Sequence, residues 1–378
     1  MRIFLFVLAM LAAGPAAAHK QSDAYLVLQP GDDGRVAVQW DIALRDLEAV
    51  IGLDTDGDGA ITWGELRAQH GAIATHALAR LELSAGGQGC AIGPVTHRVA
   101  EHSDGNYAVL SFLAQCGPNA GRLRLNYRLL AEFDTQHRGL VSVQSPGGIR
   151  TFVLGPAAPQ VEIDLAQGGG VDMAAFFIEG IGHILGGFDH LFFLAVLLLP
   201  AMLTRTAAGW TPVPRFGAGV IETVKVLSAF SVAHTLTVAL AAAQLVDPPS
   251  RVIEAAIALT IVLTALDLLV PFIGRRRWPV AGAFGLIHGF GFAGALGPLA
   301  LPPLDLVVAL VGFNLGVEAG QLLIALPVLP LIYLLGRHKA YPRYLMPAAS
   351  VTAIAVGTLW FLERAFDLPA GWRAVLPF

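Results

Sequence analysis

Residues 174–200 read AAFFIEGIGHILGGFDHLFFLAVLLLP. The stretch is apolar over more than the ~20 residues that carry a helix across a bilayer. That length predicts a membrane span. Inside it stand His183, Asp189 and His190, with Gly186-Gly187 between the two histidines. In an unbroken helix, residues seven apart share a face but lie about 10.5 Å apart along the axis. The imidazoles therefore meet at one point only if the helix unwinds at Gly186-Gly187; otherwise they serve successive positions on a path.

Five more apolar stretches follow, near 217–245, 252–273, 279–300, 305–335 and 344–363. The composition agrees with a membrane bundle: 55% of residues are hydrophobic and 14% charged, where a soluble domain carries about 25% charged. Mean hydropathy is +0.64. A net charge of −4 gives no argument for a nucleic-acid partner. At the start of the chain Arg2 precedes the apolar run 3–11 and the small-residue site Ala16-Ala17-Ala18. This is the pattern of a secretory signal peptide over 1–18, cleaved before His19. The first span then runs from outside to inside. That puts Arg205 and Arg215, then Arg275-Arg276-Arg277, then Arg337, Lys339 and Arg343 in inner loops. The outer loops carry Arg251, Asp247 and Asp305. Export and loop charge predict the same orientation.

Residues 19–165 read as an exported soluble domain. Strand-like runs at 24–29, 35–40, 107–113, 122–129, 140–144 and 150–154 alternate with Pro-Gly, Asp-Gly and Gly-Gly turn signals. They predict a small antiparallel β domain, with a helical insertion from about Asp41 to Leu83. Cys90 and Cys116, both in the exported part, predict a disulfide. Within the insertion, 54–65 reads DTDGDGAITWGE, which matches the EF-hand calcium loop position by position. Asp54, Asp56 and Asp58 supply side-chain oxygens, and Ala60 a backbone carbonyl. Gly59 makes the sharp turn, Ile61 is the apolar mid-loop residue, Thr62 acts through a water, and Glu65 closes the site. Flanking helices are expected at 44–51 and 63–83. A lone loop of this kind suits a structural Ca²⁺ better than a sensor.

The second span holds Ser228, Ser231, His234, Thr235 and Thr237, and the third Glu254, Thr260, Thr264 and Asp267. The fourth has His288 within FGLIHGFGFAG, whose Gly285, Gly289 and Gly291 permit close helix packing or a broken helix. In the fifth, Asn314, Glu318 and Gln321 share one helical face. Isolated hydroxyls in membrane helices usually bond their own backbone. Intramembrane carboxylates are different: each costs at least about 2.5–3.5 kcal/mol unless paired, protonated or bound to a cation. Asp189, Asp267 and Glu318 all need such a partner. Asp189 can orient a neighbouring imidazole or bind metal itself. Imidazole with carboxylate suits Ni²⁺, Co²⁺ or Zn²⁺, and the membrane half has no cysteine for thiolate-based Cu(I) handling.

The His-x5-Asp-His element at 183–190, FSVAHTLTVAL at 230–240, FGLIHGFGFA at 284–293 and FNLGVEAGQ at 313–321 together resemble the HupE/UreJ family of membrane proteins. The resemblance covers the membrane half, and the exported domain resembles that of the family's larger branch. It implies nickel or cobalt uptake, with His183, Asp189 and His190 in the path of the ion; His234, His288, Asn314 and Glu318 are the further candidate ligands along it. The smaller family members carry FHGxAHGxE where this chain has FNLGVEAGQ, which keeps Glu318 and lacks the histidines.

The fold expected is therefore a polytopic helical bundle of six spans over 172–366, preceded by an exported, mostly β domain. It would sit in the inner membrane of a bacterium with that domain in the periplasm. The functional alternatives are an intramembrane metal-dependent hydrolase, and a calcium-stabilised receptor or assembly factor whose exported domain meets a partner protein. A mature N-terminus at His19 would let its amine and imidazole chelate metal together.

Overall fold

The computed structural model describes residues 22–366, apart from 32, 103–104, 118–120, 136, 168, 207–208, 247, 274–275 and 292–300. The expected signal segment 1–18, His19, Asp247, Arg275 and the end of the expected fourth span lie outside the described residues. The described residues up to Ala175 form a β-rich unit, with 301–309 grouped with it, and the rest from Phe176 onward form a helical unit.

In the β-rich unit, strands β1 (Asp23–Pro30) and β2 (Arg35–Ala43) lead into helices α1 (Leu44–Ile51), α2 (Trp63–Ala68) and α3 (His70–Leu78). Then come β3 (Leu81–Ala85), β4 (Gln88–Gly89), β5 (Ala91–Ile92), β6 (Thr96–His102), β7 (Gly105–Gln115) and β8 (Arg122–Tyr127). β9 (Arg138–Ser145), β10 (Gly148–Leu154), β11 (Gln160–Asp164) and β12 (Gly170–Val171) complete it. Among the described residues an eight-stranded sheet runs β12-β10-β9-β1-β2-β7-β5, with β6 also on β7, and a four-stranded sheet runs β11-β8-β3-β4. Alternate residues of both sheets, among them Leu26, Trp40, Leu110, Leu83, Leu125 and Tyr127, fill one shared core.

Two expectations are corrected here. The sheet is mixed rather than antiparallel, because β1 pairs β9 in parallel from Asp23↔Arg138 to Leu28↔Val143. Turn signals report hairpins, and the partner of a strand more than a hundred residues away leaves no local signal of direction. The helix expected over 63–83 ends at Leu78. Leu81, Leu83 and Ala85 are buried while Glu82 is exposed, a period of two that pairs with β8 and overrides helical continuation. Cys90 and Cys116 are disulfide-bonded, tying the β4–β5 turn to the end of β7.

The helical unit begins with a bent pair, α4 (Met173–Gly186) and α5 (Phe188–Leu198), inclined at 73° across Gly187. A hairpin of β13 (Leu203–Thr206) and β14 (Gly209–Pro212) follows. Next come α6 (Phe216–Ala242), α7 (Ser250–Leu269), α8 (Trp278–Phe290), α9 (Pro303–Gly336) and, after a π-helical turn at Tyr341–Leu345, α10 (Met346–Phe366). Four of these segments, α6, α7, α9 and the π-turn with α10, are long and apolar enough to cross a membrane, and the bent pair makes a fifth if it counts as one span. The protein is a multi-pass membrane protein. Six spans were expected; the fourth is represented here by α8, whose 13 residues reach only about 20 Å.

Glycines let helices meet backbone to backbone. A Cβ on Gly180 of α4 would lie 2.0 Å from the Phe313 carbonyl oxygen of α9, and one on Gly316 of α9 would lie 2.0 Å from the Phe177 oxygen. Gly285 and Gly289 of α8 press likewise on Phe230 and on His234 and Thr237 of α6. At one end of the bundle the β13–β14 hairpin brings Arg205 to Asp267, 3.4 Å away, and Arg277 approaches the second oxygen at 3.7 Å. The amides of Phe272 and Ile273 donate to the same carboxylate, and both guanidinium groups stack on Trp210. The carboxylate of Asp267 thus has its partners and serves as a structural clamp.

In the β-rich unit His137 is 1% exposed, held by Ser22 Oγ at 2.5 Å and by the Tyr127 hydroxyl at 2.6 Å. Burial pushes its imidazole down to about 4. An unfolded histidine titrates near ~6.5. The stability contributed by keeping His137 neutral is therefore complete above that pH and is lost as pH falls toward 4, by up to a few kcal/mol. In His137→Gln, hydrogen exchange at the β1 and β9 amides should show a smaller loss of protection between pH 7 and pH 4 than wild type. An identical loss would rule His137 out as its source.

Candidate metal centre

The bend at Gly187 decides the site. Helical bonding flanks the turn: Gly187 N–H donates to the His183 carbonyl and Leu191 N–H to that of Gly187, while the His190 amide is taken up by Asp189 Oδ1. The turn brings the His183 and His190 rings to 4.5 Å between centroids. His234 of α6 comes within 6.3 Å of His183. One nitrogen from each of His183, His190 and His234 lies within 4.8 Å of the other two. His183 is 6% and His234 0% exposed.

The hydrogen bonds around these rings fix which nitrogen faces inward. Asp189 Oδ1 can only accept, so His190 Nδ1, 3.0 Å away, carries its proton there. His190 Nε2 keeps its lone pair and is buried with no hydrogen-bond partner. Asn314 Nδ2 donates to the Leu310 carbonyl, which makes its Oδ1 the acceptor for His234 Nδ1 at 3.1 Å. His234 Nε2 is likewise buried and unbonded. Two imidazoles of the group are thus held at Nδ1 by outer partners and keep Nε2 unbonded, the arrangement by which neighbours orient metal-binding histidines.

The other residues picked out by sequence fall around this group. His288 of α8 has its ring 5.5 Å from that of His190, among Phe193 and Phe230. Thr260 spends its proton on the Ile257 carbonyl, so it accepts from His288 Nε2 at 2.9 Å and leaves Nδ1 unbonded. Thr260 bonds its own backbone, as expected of an isolated hydroxyl in such a helix, and is a histidine partner as well. Glu318 is not brought to the imidazoles. Ser228 Oγ donates to it at 2.6 Å, and Ser231 pairs with Gln321 at 3.3 Å, so the face of α9 shared by Asn314, Glu318 and Gln321 is stitched to α6. Asp189 has a partner that sequence reasoning missed altogether: Arg364 Nη2 lies 3.5 Å from its Oδ2. Arg364 directly follows the expected sixth span, and no local sequence signal joins it to Asp189, 175 residues away.

A second group of candidate ligands lies in the β-rich unit. Between α1 and α2, carboxylate oxygens of Asp54, Asp56 and Asp58 come within 4.8 Å of one another. Gly57 and Gly59 adopt left-handed φ of 73° and 86°, as a tight loop around a cation requires. Ala60 N–H donates to Asp58. Glu65 closes the loop: Oε1 accepts from Thr55 N–H at 2.7 Å and Oε2 from Thr62 N–H at 2.9 Å. The Thr62 side chain in turn accepts from Glu65 N–H, a capping box that starts α2.

A bundle of apolar helices enclosing oriented imidazoles defines a membrane protein with a polar centre in its interior. The family model for HupE / UreJ protein matches residues 160–364, just over half of the chain, and the chain belongs to that family. None of the curated proteins compared with it matches.

A Cβ at position 187 would lie 2.6 Å from His190 Nδ1 and 3.3 Å from Asp189 Oδ1. Gly187→Ala should therefore displace the His190 ring and weaken Co²⁺ binding by the purified protein by about ten-fold or more, with helix content by circular dichroism unchanged. Wild-type affinity in the variant would show that the bend does not shape the site.

Proposed function

We propose that this chain is a permease for a divalent transition-metal ion, nickel or cobalt, which passes through the bundle by way of His183, His190 and His234. The observation that carries the reading is the convergence of three imidazole nitrogens within 4.8 Å inside apolar helices. Neutral imidazole is the ligand type for borderline cations such as Ni²⁺, Co²⁺ and Zn²⁺. Membership of the HupE/UreJ family, associated with nickel and cobalt handling, supports the same cargo. His288, next to His190, is the following position on the path, with Asp189 and Asn314 orienting ligands and Glu318 further along α9.

In this reading the bundle crosses the membrane six times: the bent α4–α5 pair, α6, α7, the apolar stretch to which α8 belongs, α9 and α10. It lies in a bacterial inner membrane with the β-rich unit in the periplasm, as the loop charges and the signal-like start support. The loop 54–65 is an EF-hand that holds Ca²⁺ through Asp54, Asp56, Asp58, Ala60, Thr62 and Glu65 and stabilises the β-rich unit. Three imidazoles around an open position are also the ligand set of a catalytic zinc, and on that observation an intramembrane hydrolase is the second reading.

Reconstituted in liposomes, the protein should take up Ni²⁺ or Co²⁺, and His183→Ala, His190→Ala and His234→Ala should each slow uptake by about ten-fold or more. Equal uptake of nickel, cobalt and zinc by wild type and His190→Ala would refute the permease. A stoichiometric zinc that does not exchange, together with hydrolysis of a lipid or peptide, would favour the enzyme. For the loop, Tb³⁺ luminescence excited through Trp63 should appear on binding, be displaced by Ca²⁺ and vanish in Asp58→Asn; an undiminished signal in that variant would remove the calcium assignment.

A further inference from the structure

We infer that Arg364 is a tethered counter-cation that lowers the affinity of the three-imidazole centre by holding the charge of Asp189. The inference rests on the metal-binding reading of that centre. Asp189 Oδ1 is occupied by the His190 ring at 3.0 Å and the His190 amide at 2.9 Å. Its Oδ2 faces Arg364 Nη2 at 3.5 Å. Both side chains are largely withdrawn from solvent, Arg364 at 12% and Asp189 at 20% exposed. Charges this close in a water-poor setting interact several-fold more strongly than in bulk water.

The consequence follows from how an outer partner tunes a ligand. A free carboxylate behind His190 makes its Nε2 more basic and adds a full negative charge beside an incoming dication. With Arg364 in place the negative charge of Asp189 faces a cation of the protein before the ion arrives. An ion in transit must be bound firmly enough to enter and loosely enough to leave. Arg364 shifts that balance toward release.

Arg364 is also placed by structure: its Nη1 donates to the Glu254 carbonyl at 3.2 Å, joining α10 to α7. Arg251 makes a comparable clamp at the same helix end, with Nε and Nη2 on the Ala365 carbonyl at 3.1 and 2.6 Å. Arg251→Gln therefore loosens the helix end without changing the charge that faces Asp189.

The test is Co²⁺ binding by the full-length protein in detergent, measured by equilibrium dialysis, with Co²⁺ uptake in liposomes alongside. Arg364→Gln should bind Co²⁺ about ten-fold more tightly than wild type, with KM and maximal rate both lowered in uptake. Arg364→Lys and Arg251→Gln should stay near wild type. As a line independent of that variant's stability, Asp189→Asn should weaken binding, and adding Arg364→Gln to it should restore part of the loss. Unchanged or weaker binding in Arg364→Gln, matched by Arg251→Gln, would overturn the inference and leave Arg364 a helix clamp. So would a double variant no better than Asp189→Asn. A wild type that binds no Co²⁺, or binds it equally well without His190, would instead fail the metal reading itself.

Discussion

The helical unit depends on one constraint: an apolar helical segment must turn sharply at Gly187 for its histidines to meet. A straight helix would hold His183 and His190 about 10.5 Å apart. The 73° bend closes that gap, with the i→i−4 bonds of Gly187 and Leu191 ending one helix and starting the next on either side of it. Only a residue without a side chain fits at 187, because the His190 ring and the His183 carbonyl occupy the space where a Cβ would go. The Gly180–Gly316 crossing then seats α4 on α9, the helix whose Asn314 holds His234. Bend and crossing together converge three imidazoles from three helical segments.

Electrostatics divides the buried carboxylates by role. Asp267 is enclosed by Arg205, Arg277 and two backbone amides, which offset its charge. It closes one end of the bundle. Glu318 is engaged with Ser228 and serves the α6–α9 contact. Asp189 alone of the three is coupled to an imidazole of the centre, and it answers to Arg364 on its other oxygen. The insertion cost common to all three is thus offset in three different ways, and one of them bears directly on chemistry.

Much of this was legible in the chain itself. The strand runs at 24–29 and 35–40 fall inside β1 and β2, and the apolar stretches at 217–245 and 252–273 correspond to α6 and α7. Periodicity and length are local properties, so a local reading finds them. The helix expected over 63–83 takes in Leu81–Leu83 because the helical pattern before them is stronger than the short alternation of LELSA at 81–85. The parallel pairing of β1 with β9 and the partnership of Arg364 with Asp189 join residues more than a hundred positions apart, and nothing local announces them.

The order of residues alone determined that this chain is polytopic, that a β-rich half precedes it, and that His183, Asp189 and His190 sit in an apolar span with two glycines between the histidines. Composition and spacing suffice for that, since lipid imposes the same length and polarity on any helix that crosses it. Only the tertiary structure decided that the glycines bend the span rather than merely packing it. It also decided that His234 joins the centre while Glu318 stays outside, and which nitrogen of His190 and of His234 is left unbonded. Those outcomes depend on acceptors such as Asp189 and Asn314 arriving from particular directions, and direction is set by the packing of helices distant in sequence.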